Sequence, residues 1–194
     1  MKNPEAKEYQ NASRKRYRAI TLSGEVGSGK SALASALLSL LPDWQRTNIG
    51  QLFRQFCRER GLSIQEIGQL GDEVHNTFDA TQRRLLETAH NAIVEGRLAG
   101  WLSRDLSDVF RVYCYAPIEV RMQRYAQRDG ASLEQARIDI LTRDEHDLRK
   151  YEHLYGVVDY RLPDYYHLAL DTSSADPPTL ARKILQQAGL NAST

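Results

Sequence analysis

The sequence predicts an α/β fold with a mainly parallel sheet. Short apolar runs of strand length alternate along the chain with longer stretches of helical period. Between the first strand-like run and the first helical one lies Gly24-Glu25-Val26-Gly27-Ser28-Gly29-Lys30-Ser31, which satisfies the phosphate-loop spacing. A chain of 194 residues, 41% hydrophobic and 26% charged, also suits one soluble domain with a core of its own.

Residues 1–16 are polar and basic, with Lys2, Lys7, Arg14, Lys15 and Arg16, and are expected to form a flexible tail. The folded domain is expected over 17–190. Tyr17 to Ser23 is β-branched and apolar enough for the first strand. In the loop that follows, glycines let successive backbone N–H groups curl around a phosphate chain. Lys30 can set an ammonium against the β- and γ-phosphates, and the Ser31 hydroxyl can ligate Mg²⁺. A helix starting here also aims its positive end at the anion. Gly24, Glu25, Val26, Gly27, Ser28, Gly29, Lys30 and Ser31 are therefore candidate ATP-binding residues. Lys30 is a candidate catalytic group among them and Ser31 the candidate metal ligand. Leu33, Leu37, Leu40 and Leu41 then form the apolar stripe of a helix that Pro42 stops.

Arg46 to Ile49 reads as a second strand, and Gly50 to Arg60 as a helix ended by Gly61. Ser63-Ile64-Gln65-Glu66 has the capping-box pattern for another short helix, and Asp72 to His90 is helical and polar-rich. Asn91 to Glu95 reads as a buried strand with Gly96-Arg97 at its carboxyl end. Val109 to Ala116 is the next strand, closed by Pro117. Ile118, Met122, Tyr125 and Ala126 mark one face of a helix that Asp129-Gly130 breaks, and Ser132 to Gln135 caps a long partner. His167 to Leu170 is the last strand and Pro177 to Ala188 the closing helix.

A formal net charge of +1 argues against a general nucleic-acid-binding surface, so local arginine clusters must serve something smaller. No secretory or membrane-length apolar run is visible, so a cytoplasmic protein with no membrane partner is expected. Cys57 and Cys114 have no paired spacing and read as buried free thiols. The five histidines show no metal-ligand pattern; His146 and His153 are expected on a solvated helix face.

In sheets of this kind ligands bind beyond the carboxyl ends of the strands. Arg97 falls there, beside the phosphate loop, where a cation is costly unless an anion neutralises it. An ion pair with Glu95 or an aspartate is the alternative. Arg121, Arg124 and Arg128 recur at i, i+3, i+7, and Arg143, Asp147 and Lys150 at i, i+4, i+7, so each set shares a helix face. Two such faces over about 121–155 are expected to form a helical lid over a polyanion; solvated faces with ordinary ion pairs are the alternative. Two phosphates with about two charges each, ~5 Å apart at effective dielectric ~20, repel by on the order of 10 kcal/mol. Mg²⁺ and Lys30 cannot offset all of that, whereas several arginines converging from loop and lid can.

The chain resembles the nucleoside monophosphate kinases, most closely cytidylate kinases of the short archaeal type. The resemblance runs from Ile20 to Leu185 and rests on Gly50-Gln51-Leu52-Phe53-Arg54, Glu95-Gly96-Arg97-Leu98-Ala99-Gly100-Trp101, Arg143-Asp144 and Lys150-Tyr151 besides the phosphate loop. It implies the P-loop NTPase fold, a five-stranded parallel sheet with flanking helices, a helical nucleotide-binding segment near 50–80 and the lid. It implies that Arg54 and Arg97 hold the acceptor phosphate and that Asp147 meets the ribose. Arg143 would reach the transferring phosphoryl, so Arg97 and Arg143 join Lys30 as candidate catalytic residues. Arg121, Arg124 and Lys150 match lid positions. Many such archaeal enzymes have Thr in place of Lys30, and Arg is usual where Lys150 stands. Asp171, at a strand end, falls near the donor base rather than at the metal, and Glu95 is expected to hold waters on Mg²⁺. The activity implied is ATP-dependent phosphorylation of CMP or dCMP by a monomer. A kinase of another small acceptor, or a nucleotide-binding regulator without turnover, are the alternatives.

Overall fold

The computed structural model describes residues 17–61 and 71–192. The tail expected over residues 1–16 and the capping box at Ser63–Glu66 lie outside them. Strand β1 (Ala19–Ser23) is buried at every residue and runs down the middle of the sheet. Strand β3 (Ala92–Glu95) pairs with one side of it and β4 (Val109–Tyr115) with the other. Beyond them, β2 (Gln45–Asn48) and β5 (Leu168–Asp171) complete the edges. All four pairings are parallel, in the order β2-β3-β1-β4-β5, so helices must return the chain between strands.

Both faces of the sheet are covered, and the alternation of side chains divides the core in two. Ile20, Leu22, Ile93, Phe110, Val112, Cys114 and Leu170 face one side. There they meet Leu33, Ala34 and Leu37 of α1 (Lys30–Leu40) and Leu180, Ala181, Ile184 and Leu185 of α7 (Pro177–Ala188). Ala19, Val94, Val109 and Tyr113 face the other, against Leu86 of α3 (Asp72–Thr88), Leu102 of α4 (Ala99–Leu102) and Tyr151 of α6 (Leu133–Tyr155). Ile20 and Leu22 are wholly buried and contribute roughly 2 kcal/mol each by leaving water. A third cluster joins Val26 of the phosphate loop to Tyr125 of α5 (Ile118–Asp129) and to Ala136 and Ile140 of α6. The helical pair α5–α6 is thus packed onto the loop itself.

Local chemistry sets the element ends. Asn48 accepts from the backbone N–H of Gln51 at 2.9 Å, so α2 (Ile49–Glu59) begins at Ile49, which the sequence reading assigns to the preceding strand. Ser132 caps α6 by accepting from Gln135 N–H, and Asp176 caps α7 from Thr179 N–H with Pro177 next. The first strand starts at Ala19 rather than Tyr17, and α3 stops at Thr88 rather than His90 because the chain turns there into β3 through Asn91, at positive φ. The short helix α4 is not anticipated by the sequence reading, since four residues hold too little periodicity to register.

Candidate active site

A large cavity of about 1030 Å³ opens at the carboxyl ends of β1 and β3. The phosphate loop forms its floor. Gly24 has φ 140°, and a Cβ there would stand 2.1 Å from the carbonyl oxygen of Cys114 in β4, so only glycine lets the loop lie this low on the sheet. Lys30 opens α1 and folds back, its Nζ donating to the carbonyls of Gly24 and Glu25 at 2.7 Å and to Ser28 Oγ at 3.0 Å. Burial, and then the guanidinium of Arg97, hold the Lys30 pKa at about 8. The ammonium is an under-solvated charge beside a glycine loop, an arrangement that favours a phosphate chain.

Ser31 Oγ donates to Glu95 Oε2 at 2.8 Å. Glu95, at the end of β3, also accepts from Arg46 and from Asn48 Nδ2, both on β2. One hydroxyl with one buried carboxylate behind it suits Mg²⁺, which keeps waters and phosphate oxygens for most of its coordination. Among the described residues no group of three or more His, Cys, Asp or Glu is arranged to hold a metal ion alone.

Arg97 pairs with Asp147, and its Nη1 lies 3.6 Å from Asp144 Oδ1. The same nitrogen donates to the backbone carbonyl of Arg143 at 3.2 Å. Lys150 Nζ holds Asp147 Oδ1 at 2.7 Å. The ion pair with an aspartate, the alternative for Arg97, is thus what the structure contains, and it ties the end of β3 to α6. Burial, then Arg97 and Arg143 nearby, lower the Lys150 pKa to about 8, and burial with Arg97 lowers that of Arg143.

Among the residues expected from sequence, Gly24, Val26, Gly27, Ser28, Gly29, Lys30 and Ser31 line the cavity. Arg54, Arg97, Arg124, Arg143, Asp147 and Lys150 do so too. Glu25 and Arg121 do not. Arg121 leaves the face shared by Arg124 and Arg128 and is 5% exposed; its Nε donates to Val26 O at 2.8 Å and its Nη1 to Glu25 Oε2 at 2.9 Å. With Nη2 on Asp144 as well, it braces the loop against α6 rather than offering charge to the cavity. Glu25 in turn meets Arg161. Arg124 donates to Thr172 Oγ1 and to the Thr172 carbonyl, each at 2.8 Å. His153 is largely exposed as expected and meets Asp72, but His146 stands on the cavity wall. Cys57 and Cys114 are buried free thiols.

The sequence reading passed over His75, Phe78, Asp79 and Gln82 of α3, which also line the cavity. Their i, i+3, i+4, i+7 spacing is the signal that marks them as one face. Among the described residues seven lysine and arginine side chains line the cavity against four carboxylates, on a chain whose formal net charge is only +1.

Buried cations gathered beside a glycine loop at the carboxyl ends of the strands suit a phosphorylated ligand, and together with the strand order they mark a P-loop kinase. Solved structures agree in fold. Shikimate kinase from Acinetobacter baumannii, in complex with shikimate, matches with a TM-score of 0.57 and 23% identity, covering 89% of this chain and 93% of that one. A gluconokinase from Sinorhizobium meliloti matches with a TM-score of 0.57 and 17% identity, covering 90% and 93%. Within that class the chain belongs to the cytidylate kinase-like family, whose sequence model matches residues 19–174. The cytidylate kinase of Pyrococcus abyssi is 36% identical over 161 residues, 81% of this chain and 86% of its own length. That of Natronomonas pharaonis is 33% identical over 161 residues, 81% and 82% respectively. No helix among the described residues is long and apolar enough to cross a membrane.

Proposed function

We propose that the protein transfers the γ-phosphoryl group of ATP to CMP or dCMP, releasing ADP and CDP or dCDP. The observation that carries this reading is the meeting of two cationic sets in one cavity: Lys30 on the phosphate loop, and Arg97 with Arg143 and Lys150 at the junction of β3 and α6. One set suits a donor triphosphate, the other an acceptor phosphate, and the family supplies the identity of both.

Positioning and charge stabilisation do most of the work in direct in-line transfer. The loop N–H groups and Lys30 bind the donor's β- and γ-phosphates. Ser31, with Glu95 behind it, would hold Mg²⁺, which would supply positive charge to offset that of the donor phosphates. Arg54 and Arg97 grip the acceptor phosphate, and Asp147 is freed from Arg97 to meet the ribose. Arg143 stabilises the phosphoryl group in transit, with Arg124 and Lys150 on the same helical pair. Arg121 acts through the loop that it braces. The pair α5–α6 is the lid, over about 121–155, whose closure excludes water; α2 and part of α3 belong to the acceptor segment over about 50–80. Residues 17–190 then form one kinase unit, working as a cytoplasmic monomer with no nucleic-acid partner.

A coupled ADP-release assay over a panel of nucleotides tests the reading. CMP and dCMP should be the best acceptors and free cytidine a very poor one, because it offers Arg97 no anion. Arg97→Lys keeps the charge but loses the planar fork, so CMP turnover should fall by roughly a hundredfold with ATP binding nearly intact. Cytidine phosphorylated as well as CMP would give Arg97 another role, and no turnover with any monophosphate would point to a nucleotide-binding regulator.

A further inference from the structure

Helix α3 presents His75, Phe78, Asp79 and Gln82 to the cavity, and phosphoryl transfer as derived above uses none of them. Gln82 is 1% exposed, yet among the described residues its Nε2 has no hydrogen-bond partner. An orphan donor buried on a cavity wall is costly, and a ligand acceptor opposite it removes the cost. Its place is specific. A Cβ on Gly96 would stand 2.1 Å from that nitrogen, so the amide lies against the backbone immediately before Arg97. Asp79, one turn away on the same face, uses Oδ2 to accept from the Tyr155 hydroxyl at 2.9 Å, and a carboxylate has further acceptor capacity. Beside them stand flat rings. Phe53 of α2 packs edge-on to Phe78 with centroids 4.9 Å apart and stacks on His75 at 5.6 Å, and all three line the cavity. Planar apolar walls with a few polar groups at one edge suit a heteroaromatic ring.

We infer that Asp79 and Gln82 read the base of the acceptor, the carboxylate accepting from the exocyclic amino group of cytosine and the amide N–H donating to its ring N3. The two residues divide the task. Cytosine offers an N4 amino donor beside an N3 acceptor, whereas uracil offers an O4 acceptor beside an N3 donor. A side-chain amide carries both a donor and an acceptor and serves either ring by rotating, so Gln82 sets affinity for the pyrimidine. An ionised carboxylate only accepts. Asp79 therefore favours the amino group and repels O4, which makes it the residue that selects cytosine.

This assignment rests on the reading of the acceptor as CMP or dCMP, and wild-type protein tests that first, in a panel of CMP, UMP, AMP and GMP. A wild type that prefers another monophosphate overturns the functional reading itself. With CMP preferred, Asp79→Asn keeps the shape and the acceptor for Tyr155 but adds a donor. The ratio of kcat/KM for CMP over UMP should fall by about tenfold or more, with the KM for ATP unmoved. Gln82→Leu should raise the KM for CMP and for UMP alike by about tenfold; if that variant does not fold, Gln82→Met, which also lacks the amide, gives the same readout. An unchanged ratio in Asp79→Asn would overturn the selector role. Unchanged KM values in a folded Gln82 variant would overturn the anchor.

Discussion

Replacing Lys30 with methionine separates what its ammonium does for chemistry from what it costs the fold. Three loop oxygens within 3.0 Å hold the ammonium, yet burial and Arg97 bring its pKa from 10.5 to about 8. A drop of that size means that the native surroundings disfavour the charged form by on the order of 3 kcal/mol relative to the unfolded chain. The unfolded chain binds the extra proton between those pH values, so stability rises with pH there. The cost is fully present below pH 8 and is gone by about 10.5. Methionine keeps most of the stem without the charge. At pH 7 the variant should melt no lower than the wild type, and its advantage, up to about 3 kcal/mol, should shrink as pH rises from 8 to 10.5. Lys150, also held near 8, is common to both proteins and cancels. Turnover should move the opposite way. An ammonium ~3 Å from a phosphate oxygen at effective dielectric ~20 interacts by on the order of 5 kcal/mol. Part of that is offset by desolvation and by the loop bonds given up, which leaves a loss of about a hundredfold or more. Thermal melts across this pH range and ADP release at saturating nucleotide read the two effects. A variant melting well below the wild type at pH 7 would mean that the loop bonds outweigh the burial cost, and near-normal turnover would remove Lys30 from the mechanism.

Arg121→Ala should cost about 3–5 kcal/mol in denaturant unfolding, because it leaves the Glu25 and Asp144 carboxylates without their buried cation; a loss under about 1 kcal/mol would reduce the brace to an ordinary surface pair. Arg143→Ala should lower kcat more than it raises the KM for either nucleotide, the mark of a contact made mainly in the transition state; a pure KM effect would recast α6 as a binding surface. Nucleotide binding at pH 9 should take up protons, since Lys30 and Lys150 are then largely neutral and a phosphate raises their pKa. Titration calorimetry in buffers of different ionisation enthalpy measures that uptake, and heats independent of buffer would refute it.

The frame of the molecule was legible because each signal is local. The phosphate loop, the strand–helix alternation and the caps at Ser132 and Asp176 depend on neighbours within a few residues, and spacing rules see those. Partners across elements were beyond their reach. Arg121 and Arg124 are equivalent by helical spacing, yet one faces Val26 and Glu25 and the other Thr172, and only the packing of α5 on the loop separates them. The cavity wall on α3 was hidden for another reason. Phe78 is its one large apolar residue in a polar run, so the face lacks the apolar stripe that a hydrophobic pattern detects.

The pairing of Arg97 with Asp147 and Asp144 has a consequence for the end of the catalytic cycle. These carboxylates are tethered beside the guanidinium at an effective concentration that no dissolved nucleotide reaches. With Arg97 in the proposed role, they would act as a resident competitor that reclaims it whenever a phosphate loosens its grip. A site crowded with cations would otherwise retain a product carrying more negative charge than the substrate it replaced. The internal anions set a ceiling on that retention and make turnover compatible with a strongly positive cavity. Asp147→Asn should accordingly lengthen the residence of the diphosphate product, with release overtaking chemistry as the slow step, and a stopped-flow chase that found faster release would refute it.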